Sequence, residues 1–276
     1  MTDERVQTAK SSAASTARQA ADSKWLERMA RLGFVMSGLL HLLIAYIAVK
    51  LAWSQTPENA DQSGAFGLLA QNTAGKVVLW VGAIGLIALA VVELIQGVVR
   101  NSDGGGSAKD EVLDRGKSFA TAVVYVAIAF SAISFARGSG KSSSSQNASM
   151  SGKLMQNTGG RILLVLVALI IAGVGVYYFV KGVKRKFHED LVEHPGKAVE
   201  WLAIIGHVAK GAVLVIVAGL VAVAGFQKDA DKASGLDGAL KTLRDAAFGP
   251  YLLTLMALGL AAYGAYSMVR AKYARF

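Results

Sequence analysis

The chain contains no cysteine. Disulfides, iron–sulfur clusters and thiolate metal sites are therefore excluded, and no redox compartment can be read from cysteine usage. Charge is scarce: 17% of the 276 residues are Asp, Glu, Lys or Arg, where soluble domains carry roughly 25%. Proline occurs three times, at Pro57, Pro195 and Pro250. The last of these opens an apolar run directly after Gly249, a position where the missing amide costs nothing. There is no Walker lysine loop, no G-x-S-x-G elbow, no dinucleotide fingerprint and no HExxH. His188 and His194 flank a short acidic stretch, but their spacing does not put both on one helical face. The expectation is a protein without catalytic residues, cofactor or metal.

What is present is apolar length. The chain is 53% hydrophobic, and six runs dominate it: 32–53, 77–99, 119–136, 162–180, 201–226 and 250–269. Each reaches or approaches the roughly 20 residues that a helix needs to cross a hydrocarbon core of about 30 Å. Helices are the reading for such runs, because lipid cannot satisfy exposed backbone amides. Barrel strands are shorter and alternate in polarity. The first run exceeds the roughly 7–15 residues of a signal-peptide core and follows a long polar arm, so it reads as a span.

The net charge of +10 sits at the ends of these runs. That suits anionic lipid headgroups better than nucleic acid. With the N-terminus inside, Lys and Arg divide about two to one in favour of the inner side, which predicts both termini in the cytoplasm of a bacterial plasma membrane. Trp25 and Trp201 at inner ends, and Trp53, Trp80 and Tyr251 at outer ends, match interfacial aromatic belts.

The chain also repeats itself. QNTAGKVVLW begins at Gln71 and QNTGGRILLV at Gln156. Gly75, Gly160 and Gly249 fall in register, as do Ala90, Gly175 and Gly264 in the following helices. In the preceding helices Gly33, Gly116 and Gly206 align, with Gly38, Thr121 and Gly211 five residues on. The unit is an inner-to-outer helix, an outer loop and an outer-to-inner helix, written three times. The predicted organisation is a flexible arm at 1–24 and repeats at 25–100, 111–187 and 197–276. Residues 101–110 form a glycine-rich joint, and 138–149 a low-complexity outer loop. The fold class is all-α: six transmembrane helices as three parallel two-helix repeats around a pseudo-threefold axis. This differs from the inverted repeats of many transporters. Each outer loop ends in a weakly amphipathic stretch. It is clearest where Leu236, Leu240 and Leu243 share one helical face, read as a short helix on the outer interface.

The pieces GFVMSGLLHLLIAYIAV, GHVAKGAVLVIVAGLVAV and ASGLDGALKTLRDAAFGPYLLTLMALGLAAYGAYSMVRAKY, with their triplication, resemble the DUF1206 family of bacterial membrane proteins. The resemblance spans about residues 25–276. The third copy matches best, and the second departs most, around Lys117–Thr121. The family is a domain of unknown function, so the resemblance implies topology and location but no reaction.

Four polar side chains inside the spans are the candidates for function: His41, Glu93, Gln96 and Lys210. A Glu93–Lys210 pair would hold the first and third copies together, and Lys210 can otherwise snorkel to the interface. Their repeat-equivalents differ in kind: Glu93 aligns with Tyr178 and Ser267, and Lys210 with Ser37 and Ala120. That argues against a threefold ion ring. His41 lies deeper and reads as a hydrogen-bonding partner for a neighbouring helix. Few polar groups and short loops point to a non-catalytic structural or accessory subunit with a membrane-protein partner, such as respiratory or cell-envelope machinery. The alternative is a small-solute or proton transporter or channel, which needs a water-filled path around these residues.

Overall fold

The computed structural model describes residues 23–54, 59–99, 108–193, 196–227 and 233–275. Most of the predicted arm at 1–24, most of the joint at 101–110, and His194 lie outside them; Lys24 already belongs to the first helix. Nine α-helices are seen among the described residues: α1 (Lys24–Trp53), α2 (Gln62–Ala70), α3 (Thr73–Val99), α4 (Ala108–Ala136), α5 (Ser143–Leu154), α6 (Thr158–Val183), α7 (Lys197–Gln227), α8 (Leu236–Arg244) and α9 (Gly249–Tyr273). A 3₁₀ turn, Lys186–Asp190, follows α6. The long helices α1, α3, α4, α6, α7 and α9 are each long and apolar enough to cross a membrane. The short ones, α2, α5 and α8, connect them in pairs.

The repeated decapeptide is a helix start. Asn72 Oδ1 accepts from the Gly75 amide at 2.8 Å, and Asn157 Oδ1 from the Gly160 amide at 2.7 Å, capping α3 and α6. The glycine is needed for close approach. A methyl group at Gly75 or Gly160 would collide with the carbonyl of Leu69 or Leu154, at the end of the preceding short helix. In the third copy Gly249 approaches Arg244 in the same way. There the turn is made by Phe248 in the left-handed region, followed by Pro250 in the first turn of α9.

All three short helices meet on one face. Asn59 Nδ2 donates to Ser142 Oγ, and Asn147 Nδ2 to the Ser234 carbonyl. The ends of α1 and α9 and the turn after α6 meet on the other. Arg31 Nη1 donates to the Ala271 carbonyl at 2.7 Å, and the Arg275 amide to the Asp190 carbonyl at 2.9 Å. The copies are therefore threaded in parallel. The first face is the loop face below, the second the terminal face.

The stretch at 138–149 is not a loop throughout. Ser142 caps α5, its Oγ accepting from the Ser145 amide at 3.2 Å, and the serine run continues as helix. Low complexity misleads there because the hydroxyls serve as a cap and as inter-repeat contacts. Nor does the leucine face of α8 lie in the outer interface. Leu240 is buried, and Leu236 and Leu243 pack against the same core as Ile44, Phe66 and Leu253. The amphipathic face turns onto the bundle because neighbouring helices, not lipid, lie beneath it.

The long helices form an arc in the order α4, α3, α1, α9, α7, α6. Three of its interfaces join different repeats and use equivalent positions. A methyl at Gly38 would sit 2.7 Å from the Gly264 carbonyl oxygen, and one at Gly211 would sit 2.6 Å from that of Gly175. Gly182 packs on Val208 much as Gly97 packs on Ser118. Small residues let helix backbones approach where lipid supplies no hydrophobic driving force. Two interfaces lie within repeats: Gly33 meets Gly85 between α1 and α3, and Gly206 meets Tyr263 between α7 and α9. The third, between α4 and α6, has no comparable packing among the described residues. Nothing lies within 4 Å of a methyl placed on Gly116, the counterpart of Gly33 and Gly206. The threefold arrangement is thus open along one side.

Candidate functional site

The arc encloses a cavity of about 560 Å³ that reaches from the loop face deep into the bundle. Its wall follows the repeat. Ser37, Ala120 and Lys210 are equivalent positions on the first helix of each copy, and all three line it; so do His41, Val124 and Leu214, one turn further on. Equivalent backbone positions thus carry unlike side chains, and only one in the first set is charged.

Lys210 does not snorkel. Its Nζ lies 4.0 Å from the Tyr263 ring centroid and 4.5 Å from that of Tyr178. Among the described residues no carboxylate is within 4 Å of it. An ammonium in mid-membrane costs about 2.5–3.5 kcal/mol to insert. Two ring faces return about 0.5–2 kcal/mol each, which offsets a large part of that cost without a carboxylate.

His41 packs on the opposite side of the same neighbourhood, 4.7 Å from Tyr263 between ring centroids. Its Nδ1 is 2.7 Å from the Ser37 carbonyl oxygen. A carbonyl only accepts, so Nδ1 carries the proton and Nε2 is left to face a second group. Thr121, Tyr125 and Arg270 add further polar groups to the wall, and Asp61, Gln62, Ser143 and Asn147 line it at the loop face; the remaining lining is aliphatic. Of the four sequence candidates, the structure brings His41 and Lys210 to one cavity. Glu93 and Gln96 are half-buried on α3 and are not among its lining residues. No ion pair joins Glu93 to Lys210 among the described residues.

Packed clusters of side chains stand at both ends of the cavity. At the loop face α2, α5 and α8 direct their first turns at one another. Asp61 and Asp237 are 4% and 2% exposed, and the Ser144 hydroxyl lies between them, 2.8 Å from Asp61 Oδ2 and 3.3 Å from Asp237 Oδ2. Asp61 Oδ1 accepts from the Ser63 and Gly64 amides, and Asp237 Oδ1 from the Ala60 amide at 2.8 Å. Lys241 Nζ reaches Asp237 Oδ2 at 2.7 Å. Amides at helix starts and one ammonium offset the two buried charges.

At the terminal face the floor is aromatic. His207 is buried, its Nδ1 2.7 Å from the Ala203 carbonyl oxygen. It is stacked on Phe187, with ring centroids 5.6 Å apart, and edge-on to Tyr263 and Tyr266. Beyond it Asp190 pairs with Lys181 Nζ at 2.6 Å and with Arg270 Nη2 at 3.7 Å. Burial opposes the Asp190 charge, but the Arg270 and Lys181 cations outweigh it and hold the carboxyl below its usual range.

Sequence reasoning missed Asp61, Ser144 and Asp237, and also Tyr178, Tyr263 and Arg270 as cavity groups. Tyr178 was legible as the counterpart of Glu93. The Asp–Ser–Asp contact left no signal, because its members are not at equivalent repeat positions.

The family model Domain of Unknown Function (DUF1206) matches three times, over residues 32–100, 116–185 and 205–274. The "Uncharacterized protein YxxB" of Bacillus subtilis (strain 168) is 25% identical over 261 residues, covering 90% of this chain and 91% of that protein. No solved structure matches. The three family matches coincide with the three hairpins, leaving out the arm and the two linkers between copies.

Proposed function

The chain belongs to the DUF1206 family, and from that premise we propose that it is a non-enzymatic, multi-pass membrane protein that binds a small anionic ligand in its central cavity. The observation that carries this is Lys210, an ammonium facing a cavity of about 560 Å³ with two tyrosine rings beside it and no carboxylate within 4 Å among the described residues. Small-molecule sites have this size, a mostly apolar wall and a few convergent polar groups. A carboxylate, phosphate or sulfate on Lys210 also meets the Tyr178 and Tyr263 side chains, and the Nε2 lone pair of His41 suits a hydroxyl of the same ligand. Nothing in the wall pairs a nucleophile with a base, which favours binding or carriage over reaction.

The test is native mass spectrometry of the protein purified in a neutral detergent. The expected result is an anionic species retained at one per chain and lost in Lys210→Met. If both proteins emerge free of bound anion, and phosphate, sulfate and citrate shift neither melting temperature, the reading is wrong.

The accessory-subunit reading keeps one supporting observation. The apolar stretches of α4 and α6 are 22% and 17% buried, against 39–50% for the other four spans, so these two helices have surface to spare for a partner. Purification in mild detergent with stoichiometric identification of co-purifying proteins tests it. We further propose that the terminal face is cytoplasmic in a bacterial plasma membrane, where its Lys and Arg meet anionic headgroups. The absence of cysteine makes the test direct: a thiol at Lys184→Cys is to label only from inside, and one at Lys153→Cys from outside.

A further inference from the structure

The open side of the arc bears on what the ligand is. In the first and third copies the two spans of a hairpin close on each other through small residues. Gly85 meets Gly33 in the first copy, and Gly259 meets Ala209 in the third. The second copy carries Ile170 and Phe119 at the positions of Gly259 and Ala209, and they are 66% and 63% exposed. Bulk has replaced the contact, and the two helices stand apart. Cavity-lining Val124 on α4 and Val174 on α6 are also 54% and 42% exposed. They stand on the two helices that are not packed together, where the cavity is open to the side.

We propose that this gap is a lateral door, and that the ligand is an anionic amphiphile drawn in from the bilayer. Its headgroup rests on Lys210, and its hydrocarbon chain leaves between α4 and α6. The inference rests on the cavity reading above and narrows it. Asp61, Ser144 and Asp237 pack on one another at the loop end, and Phe187, His207 and Tyr266 at the terminal end, so the widest apolar approach to the cavity is the gap at its side. A molecule already dissolved in lipid meets that approach directly. The edges of the door, Phe119, Val124, Ile170 and Val174, are apolar, as a chain requires. The head site lies about 20 Å along α7 from Lys197 at 1.5 Å per residue, well below the headgroup layer. An ion reaches that depth favourably only where a fixed opposite charge awaits it.

The probes are dodecyl phosphate, inorganic phosphate, and a dodecyl phosphate carrying a photoactivatable group at the chain end. Affinities are measured on the full chain in a neutral maltoside detergent. Dodecyl phosphate is expected to bind at least tenfold more tightly than inorganic phosphate and to weaken at least tenfold in Lys210→Met. The door variant Val174→Trp is to lose a comparable factor, while Val174→Ala, with an unchanged melting temperature, keeps wild-type affinity. Photolabel is to fall on the peptides bearing Phe119 and Ile170. Equal binding of dodecyl phosphate by wild type and Lys210→Met removes the cavity reading itself. Lys210-dependent binding of inorganic phosphate as tight as that of dodecyl phosphate, with label spread over all six spans, leaves the cavity and removes the door.

Discussion

The first and second hairpins are written in one pattern and packed in two ways. Gly33 in α1 lies against Gly85 in α3, while its counterpart Gly116 in α4 meets nothing among the described residues. The contacts between copies survive in all three places; the contact within a copy survives in two. A repeat thus fixes where a helix can touch, and the residue at each touching position decides whether it does. Replacing Gly85 by Ile170 in the second copy turns a close crossing into a gap, and the gap turns a bundle into a container.

That comparison breaks most sharply at the glycines. Gly33→Leu forces a branched side chain into the Gly85 backbone and is expected to destabilise by at least the 1–3 kcal/mol of a typical overpacked site. The identical change at Gly116 is expected to be neutral, or stabilising by up to about 1 kcal/mol, because leucine favours helix over glycine. Thermal melts of the two variants in one detergent read the difference directly; equal melting temperatures would mean that the open side is closed in solution.

Next in size is the loop-face contact, where all three copies meet. Asp237→Ala leaves the Ala60 amide unpartnered and Lys241 without its carboxylate, at a cost of about 1–3 kcal/mol. The second measurement there is protease cleavage at the loop face, which is expected to rise.

The terminal-face cluster gives a pH dependence. The native Asp190 carboxyl is held below its usual range, so the folded state binds its proton less well than the unfolded one. Its stabilisation is full above the unfolded value, about 3.9 for aspartate. It is lost as pH falls through the lowered native value. Asp190→Asn is expected to flatten the acid limb of the stability curve while lowering the melting temperature at pH 7. An unchanged acid limb would show that other carboxylates carry it.

The smallest effect sharpens the comparison by erasing it. Phe119→Ala with Ile170→Gly gives the second copy the small residues of the third. A modest rise in melting temperature and a drop in dodecyl phosphate binding are expected together. A rise without the drop would separate the gap from the ligand.

The spans, the repeat and the parallel threading were legible because each rests on local chemistry. About twenty apolar residues make a span wherever they occur, and a glycine in register announces a contact. His41 and Lys210 were legible as oddities, since an ionisable group in lipid needs a reason. Their meeting was not, nor was the exclusion of Glu93 from the same space. Rotation of a helix about its axis decides which face looks inward, and that rotation is set by glycines on the neighbouring helix. The serine run of α5 was misread because its hydroxyls find their partners in other copies: Ser144 meets Asp61 across 83 residues of sequence.

By itself the sequence determined the number of membrane-crossing helices, their direction and the threefold plan, because hydrophobic length and periodic small residues act on each segment alone. Only the tertiary structure decided that the ring stays open between α4 and α6, and that Lys210 faces a cavity rather than the interface. Those outcomes depend on whether two distant surfaces fit, and fit is a property of the pair.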